Sequence, residues 1–178
     1  AGHSMESWRL ASRAAFALSR PGLLEEPRMG LVLAERVLAL SREAGSEDVL
    51  VLAHGPGDEA ENERWLARLD ALCAPVRAAG PFRSVQAMTL REDWPEQRAE
   101  AVERIRAFVA RAEAEGGSAL VVPFRVQGFG PYAEVLAGLE YRADGKGLLP
   151  HAAVTRWLED QANELRRGTF ERPLDPRH

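Results

Sequence analysis

The sequence predicts an α/β protein, a three-layer sandwich around a mostly parallel four-stranded sheet, preceded by two N-terminal helices. Two observations carry this expectation. Short, continuous apolar runs at 49–53 and 118–122 have the length and β-branching of strands covered on both faces. Each run ends in a Gly/Pro-rich loop, and each loop leads into a segment whose apolar residues recur at helical spacing. That alternation is the order of βα units joined by right-handed crossovers.

The elements follow in order. Residues 6–19 place Trp8, Ala11, Ala15 and Leu18 at helical spacing until Pro21-Gly22 interrupts. A second helix is expected over 29–43, with Val32, Leu33, Val37, Leu38 and Leu40 as its apolar cover and Gly45 as its stop. Strand one is 49–53, and His54-Gly55-Pro56-Gly57 turns the chain into a helix with Trp65, Leu66, Leu69, Leu72, Cys73 and Val76 on one stripe. A weakly alternating strand is expected at 83–90. Then Pro95, suited to a first helical position, opens a helix that keeps Val102, Ile105, Phe108, Val109 and Ala112 together and stops at Gly116-Gly117. Strand three is 118–122. A shorter helix is expected over 132–139, a weak strand at 140–143, and a last helix from Pro150 carrying Val154, Trp157, Leu158 and Leu165. The domain reading is an N-terminal helical extension at 1–46, an α/β domain at 47–167, and a loosely ordered tail at 168–178. Ala1 to Ser4, ahead of Met5, read as a cloning scar, which removes His3 from site reasoning.

Composition narrows the function. With 178 residues, 46% of them hydrophobic and 28% charged, one core is the expectation. A net charge of -4 without a Lys/Arg block argues against a nucleic-acid surface, because phosphate binding needs a concentrated positive field. No apolar run approaches the roughly 20 residues that span a bilayer, so no membrane partner is expected. The single cysteine, Cys73, has no intramolecular partner, and a cytoplasmic location is the expectation.

In parallel sheets ligands bind beyond the carboxyl ends of the strands, so the loops at 54–62 and 123–134 are the first candidate site. His54, directly after a buried strand, has two readings: a loop histidine bonded to backbone, or a neutral imidazole facing a cleft and able to bind a metal. Asp58, Glu59 and Glu61 suit a helix N-terminus, and capping is their plainer reading.

The stretch Ala53-His54-Gly55-Pro56-Gly57-Asp58-Glu59-Ala60-Glu61-Asn62 resembles the strand-one motif of the class II chelatases, the sirohydrochlorin cobaltochelatases and ferrochelatases. Val121-Val122-Pro123-Phe124-Arg125-Val126-Gln127-Gly128-Phe129-Gly130 is similar to that family's strand-three motif, with Gly130 where the family has a second histidine. Leu148-Leu149-Pro150-His151 is similar to the segment leading into its final helix. Together the three cover residues 47–166. The resemblance implies a chelatase-like fold and, if the chain is active, a lyase that inserts a divalent metal into sirohydrochlorin in cobalamin or sirohaem biosynthesis. The metal is then a substrate, cobalt or iron, with nickel or zinc accepted in vitro. The resemblance also implies site roles. His54 and Glu134 are expected as catalytic groups and metal ligands. Asn62, Arg125, Phe129, Gly130 and Tyr132 are expected to bind the tetrapyrrole. Arg91, Arg142 and Lys146 are possible cationic companions, each also readable as a surface charge. His151 reads either as a helix cap or as a further cleft residue, and Phe124 either as core or as a flat surface for the macrocycle.

Other enzyme classes lose their key residues. Ala53 stands where histidine phosphatases carry an arginine, and there is no Gly-x-Ser-x-Gly elbow, Walker A loop or Gly-x-Gly-x-x-Gly fingerprint. The rival reading is a non-catalytic chelatase-like half-domain that binds metal or tetrapyrrole, or pairs with another domain. The family uses two α/β halves, so the expected protein partner is a second half, from homodimerisation or from a longer chain.

Overall fold

Strand β1 (Glu47–Ala53) is buried along its whole length, and its alternating side chains enter two separate cores. Val49, Val51 and Ala53 face one side with Leu120, Val122 and Phe124, while Leu50 and Leu52 face the other with Ala119 and Val121. The computed structural model describes residues 22–168, and the predicted helix at 6–19, the segment at 1–4 and the tail beyond Gly168 lie outside them.

The remaining elements are α1 (Arg28–Leu40), α2 (Glu59–Leu72), α3 (Ala74–Ala79), β2 (Ser84–Thr89), α4 (Pro95–Ala114), β3 (Ser118–Phe124), α5 (Tyr132–Val135), β4 (Tyr141–Arg142) and α6 (Ala152–Arg167). The sheet order is β2-β1-β3-β4 and every pairing is parallel. Residues of α1, α2, α3 and α6 fill the core on one face; α4 and α5 fill the core on the other. The predicted three-layer α/β class is therefore the observed one. No helix among the described residues is long and apolar enough to cross a membrane.

Several elements differ from expectation for local reasons. The helix after strand one breaks at Cys73, because Pro75 has no N–H to continue the ladder and its ring crowds the preceding turn. α1, expected in a leading extension, covers the sheet directly, with Met29, Val32, Leu33 and Val37 fully buried in the same core as β1. α5 ends at Val135, and the fourth strand shrinks to two residues that pair only with Ala119 and Leu120. The last helix begins at Ala152, one residue past its cap.

α1 crosses the α2–α3 junction at Gly30. A Cβ there would lie 2.7 Å from the Leu72 carbonyl oxygen and 3.1 Å from Pro75 Cγ. The approach depends on a missing side chain, so Gly30→Ala should destabilise the fold by about 1–3 kcal/mol despite alanine's better helix propensity. Urea denaturation would show this as a lower midpoint at unchanged slope. Next to this junction Cys73 is fully buried, and burial pushes its thiol up to about 11.

At the amino ends of the strands, two carboxylates are buried at the start of β1. Glu47 accepts from Ser41 Oγ (2.6 Å), from the backbone N–H of Arg42 (2.8 Å) and Glu43 (2.9 Å), and from Arg142 (2.5 Å). Asp48 accepts from Ser84 Oγ (2.6 Å) and pairs with Arg83. Arg142, a candidate companion for a tetrapyrrole, is therefore committed to Glu47 at the end of the sheet away from the strand-end loops.

The register sets the geometry of the opposite end. Ala53 aligns with Thr89 of β2 and with Phe124 of β3. His54, Leu90 and Arg125 consequently leave the sheet in one row. The chain steps from β1 to β2 on one side and returns to β3 on the other, which makes the β1/β3 boundary the switch point where a crevice forms.

Candidate functional site

A groove of about 550 Å³ opens at that boundary. Its walls include His54, Trp65, Phe124, Arg125 and Val126, with Leu23 and Leu24 of a short 3-10 turn on one side. The surface is mainly apolar; its charged lining is Arg125 and an Arg68–Glu25 ion pair at 3.1 Å.

His54 stands at the lip with its side chain 38% exposed. Nδ1 lies 2.8 Å from the Gly55 carbonyl oxygen, and Nε2 lies 3.1 Å from Asp93 Oδ2. The Trp94 ring meets the imidazole edge-on, 6.0 Å between centroids. The imidazole thus makes one main-chain contact and keeps its other nitrogen toward an exposed carboxylate.

Two backbone bonds join the loop after β1 to the loop after β2, from Leu90 N–H to Ala53 O (2.9 Å) and from Arg91 N–H to His54 O (2.7 Å). Arg91 adopts a left-handed conformation (φ 59°), and its buried guanidinium donates to Gly57 O (2.6 Å) and Glu59 Oε2 (2.9 Å). Arg91 is therefore a brace between the loops, not a groove cation as the sequence allowed, because its side chain is buried and both Nη atoms are bound to the loop after β1 and the start of α2.

Arg125 is the groove's central cation. Its Nη1 donates to Glu92 Oε1 (2.5 Å), and its guanidinium carbon sits 5.8 Å over the Tyr132 ring. Burial works against its charge, but the interactions with Glu92 and Tyr132 together outweigh this and hold its pKa above the ordinary value. Gly130 explains how the side chain fits. It has φ +63°, and a Cβ there would lie 2.7 Å from Arg125 Nε and 2.8 Å from Cζ. The space a side chain at 130 would enter is filled by the Arg125 guanidinium.

Other expected site residues are placed differently. Asn62 is buried and accepts a 2.7 Å hydrogen bond from Thr89 Oγ1, a bond that ties α2 to the sheet. Tyr132 is fully buried, and its hydroxyl is pushed up by burial and by Glu92. Phe129 packs edge-on against Tyr132 (5.7 Å) and stacks on Tyr141 (6.1 Å), and the three rings belong to the core on the α4 face of the sheet. Phe124 belongs to the core, 8% exposed, and also lines the groove. His151 caps α6, where its Nδ1 accepts from Ala153 N–H (3.1 Å) and its Nε2 lies 2.9 Å from Glu35. Lys146 is exposed beside Asp144 at 3.7 Å. Glu134 is exposed and lines a second depression, of about 740 Å³, together with Glu92 and Asp93. Among the described residues no three His, Cys, Asp or Glu side chains cluster closely enough to hold a metal ion.

Sequence reasoning missed Asp93, Glu92 and Trp65. Asp93-Trp94-Pro95 carried only a helix-start signal, and Trp65 was assigned to the apolar stripe of its helix. The register alone brings residues 92–94 beside His54.

Fold and site together define a parallel α/β domain with a strand-end groove lipped by a histidine and an arginine. No protein-family model matches the sequence, and no curated protein matches it. Among solved structures the chain is similar to a multi-domain protein of Deinococcus radiodurans that is described as structurally similar to chelatases, with two additional novel domains. The identity is 22%, the TM-score 0.50, and the match covers 77% of this chain and 29% of that one. The likeness is one of fold, and the fold is chelatase-like.

Proposed function

We propose that this chain is a chelatase-type half-site that brings a divalent metal and a carboxylated tetrapyrrole together at the end of β1. The carrying observation is His54 at the lip of an apolar groove whose central cation is Arg125. A tetrapyrrole such as sirohydrochlorin is flat, apolar on its faces and anionic at its rim. Phe124, Trp65 and Val126 suit the first property and Arg125 the second, since guanidinium and carboxylate pair in bidentate fashion. The divalent metal, cobalt or iron, is a substrate held by His54 through a ligand set that the macrocycle nitrogens replace. Insertion releases two pyrrole protons, and Glu134, exposed in the adjoining depression, is the proposed acceptor that returns them to water. The reaction would belong to cobalamin or sirohaem biosynthesis, in the cytoplasm. The wall opposite the groove would come from a second chelatase-like half, in a homodimer or a longer chain. The chain matches 29% of a multi-domain, chelatase-like protein, which supports the latter arrangement.

A second reading has its own observation. Arg125 fills the space beside Gly130, so this chain offers no second imidazole there, and a binding module without turnover fits that arrangement. Absorbance titration with sirohydrochlorin tests the shared part. Binding should be saturable, and Arg125→Ala should weaken it about 10- to 100-fold, the worth of one charge-assisted pair. Equal affinity in the variant counts against the groove. Adding Co²⁺ to the complex then separates the readings: insertion faster than in buffer marks an enzyme, and the buffer rate marks a binding module.

A further inference from the structure

We propose that Glu92 is a built-in competitor for the groove's arginine: it holds Arg125 where a ligand's anionic group would bind, and that group must take its place. The groove then selects apolar anions, and Glu92 sets how tightly they are held. That the natural anion is a tetrapyrrole carboxylate rests on the chelatase-type reading; the competition itself rests on geometry.

Both arginines of the groove are already matched to a carboxylate. Arg125 Nη1 donates to Glu92 Oε1 (2.5 Å), and Arg68 pairs with Glu25. The second pair is exposed on both sides, so water screens it and an incoming anion exchanges with it at little cost. Glu92 is only 14% exposed, and its charge acts across a site with far less water. An anion reaching Arg125 therefore meets a neutralised guanidinium and a like charge beside it, and like charges brought together at a binding surface weaken association.

The seat of Arg125 is made by other residues. Its guanidinium carbon lies 5.8 Å over the Tyr132 ring, and its side chain fills the space at Gly130, where a Cβ would lie 2.7 Å from Nε. Neither contact involves the Glu92 carboxylate. Glu92 also has a second cation to turn to. It lines the adjoining depression of about 740 Å³ together with Arg98, a half-buried arginine that has no ion pair among the described residues. The exchange replaces one ion pair with another, so the ligand's apolar contacts with Trp65, Phe124 and Val126 decide whether it happens. A small hydrophilic anion lacks those contacts and leaves Glu92 in place.

Fluorescence titration of the full chain with anilinonaphthalene sulfonate, an apolar anion unrelated to tetrapyrroles, tests the competition. Glu92→Gln keeps a side-chain oxygen for the Arg125 hydrogen bond and removes the charge. The expected result is binding about tenfold tighter in Glu92→Gln than in the parent, with the gain absent in an Arg125→Ala background. A merely structural role for Glu92 would alter the groove whichever residue stands at 125. Equal or weaker binding in Glu92→Gln, a gain that survives Arg125→Ala, or no saturable dye binding to either protein overturns the proposal. Sirohydrochlorin separates this result from the function reading. Dye binding governed by Glu92 and Arg125, without sirohydrochlorin affinity in either protein, would uphold the competition and sink the tetrapyrrole reading. Sirohydrochlorin affinity that depends on Arg125 but is not raised by Glu92→Gln would do the reverse.

Discussion

Glu47→Ala is expected to cost about 3–5 kcal/mol, the largest stability loss of any single replacement considered. The Glu47 carboxylate is fully buried and satisfies Ser41, two backbone N–H groups and Arg142. Removing it leaves the Arg142 charge unpaired and three further donors unsatisfied, the circumstance in which breaking a buried pair is most damaging. The same carboxylate should govern acid stability. Burial raises its pKa, but the four hydrogen bonds dominate and bring it from the ordinary 4.5 to about 2. In the unfolded chain the group takes a proton near pH 4.5; in the folded chain it does so only near pH 2. Its contribution, about 3 kcal/mol, is therefore complete above the unfolded value, and about 2 kcal/mol of it is gone by pH 3. Asp48 is lowered as well, through Arg83 and Ser84, and adds in the same direction. Denaturant unfolding at pH 7 and pH 3 should show a smaller loss in Glu47→Gln than in the parent chain, because glutamine has no proton to take. Parallel pH profiles would refute the assignment.

His54→Ala should abolish saturable binding of Co²⁺ or Zn²⁺, at least a hundredfold loss or about 3 kcal/mol of binding free energy. It should change folding stability by less than about 1 kcal/mol. Function and stability separate here because the imidazole is half-exposed and makes one hydrogen bond to its own loop, so few buried contacts depend on it. Metal insertion into sirohydrochlorin, where present, should fall to the buffer rate in the same variant. Retained metal binding at unchanged affinity would remove His54 from the site and with it the chelatase-type reading.

The architecture was legible because it is written in local periodicity. The runs at 49–53 and 118–122 cannot leave either face in water, and the loops that follow them cannot continue a strand. Elements depending on longer-range contacts were less legible. The break at Cys73 was signalled by Pro75, but the reason α1 can pack there, a glycine opposite the Leu72 carbonyl, exists only once the helices cross. The weak fourth strand was placed correctly to within two residues, and its brevity follows from pairing with just two residues of β3.

By itself, the sequence determined the layer order, the parallel sheet and the position of His54 at a strand end, because hydrophobic spacing and turn residues act over a few neighbours. Only the tertiary structure decided which charged side chains face the groove. Arg91, Arg125 and Arg142 look alike in the sequence, yet one braces two loops, one lines the groove and one neutralises a buried glutamate at the far end of the sheet. Asp93 met His54 for the same reason. A long polar side chain takes its role from whatever partner the strand register brings within about 3 Å, and register is set by the pairing of residues far apart in the chain.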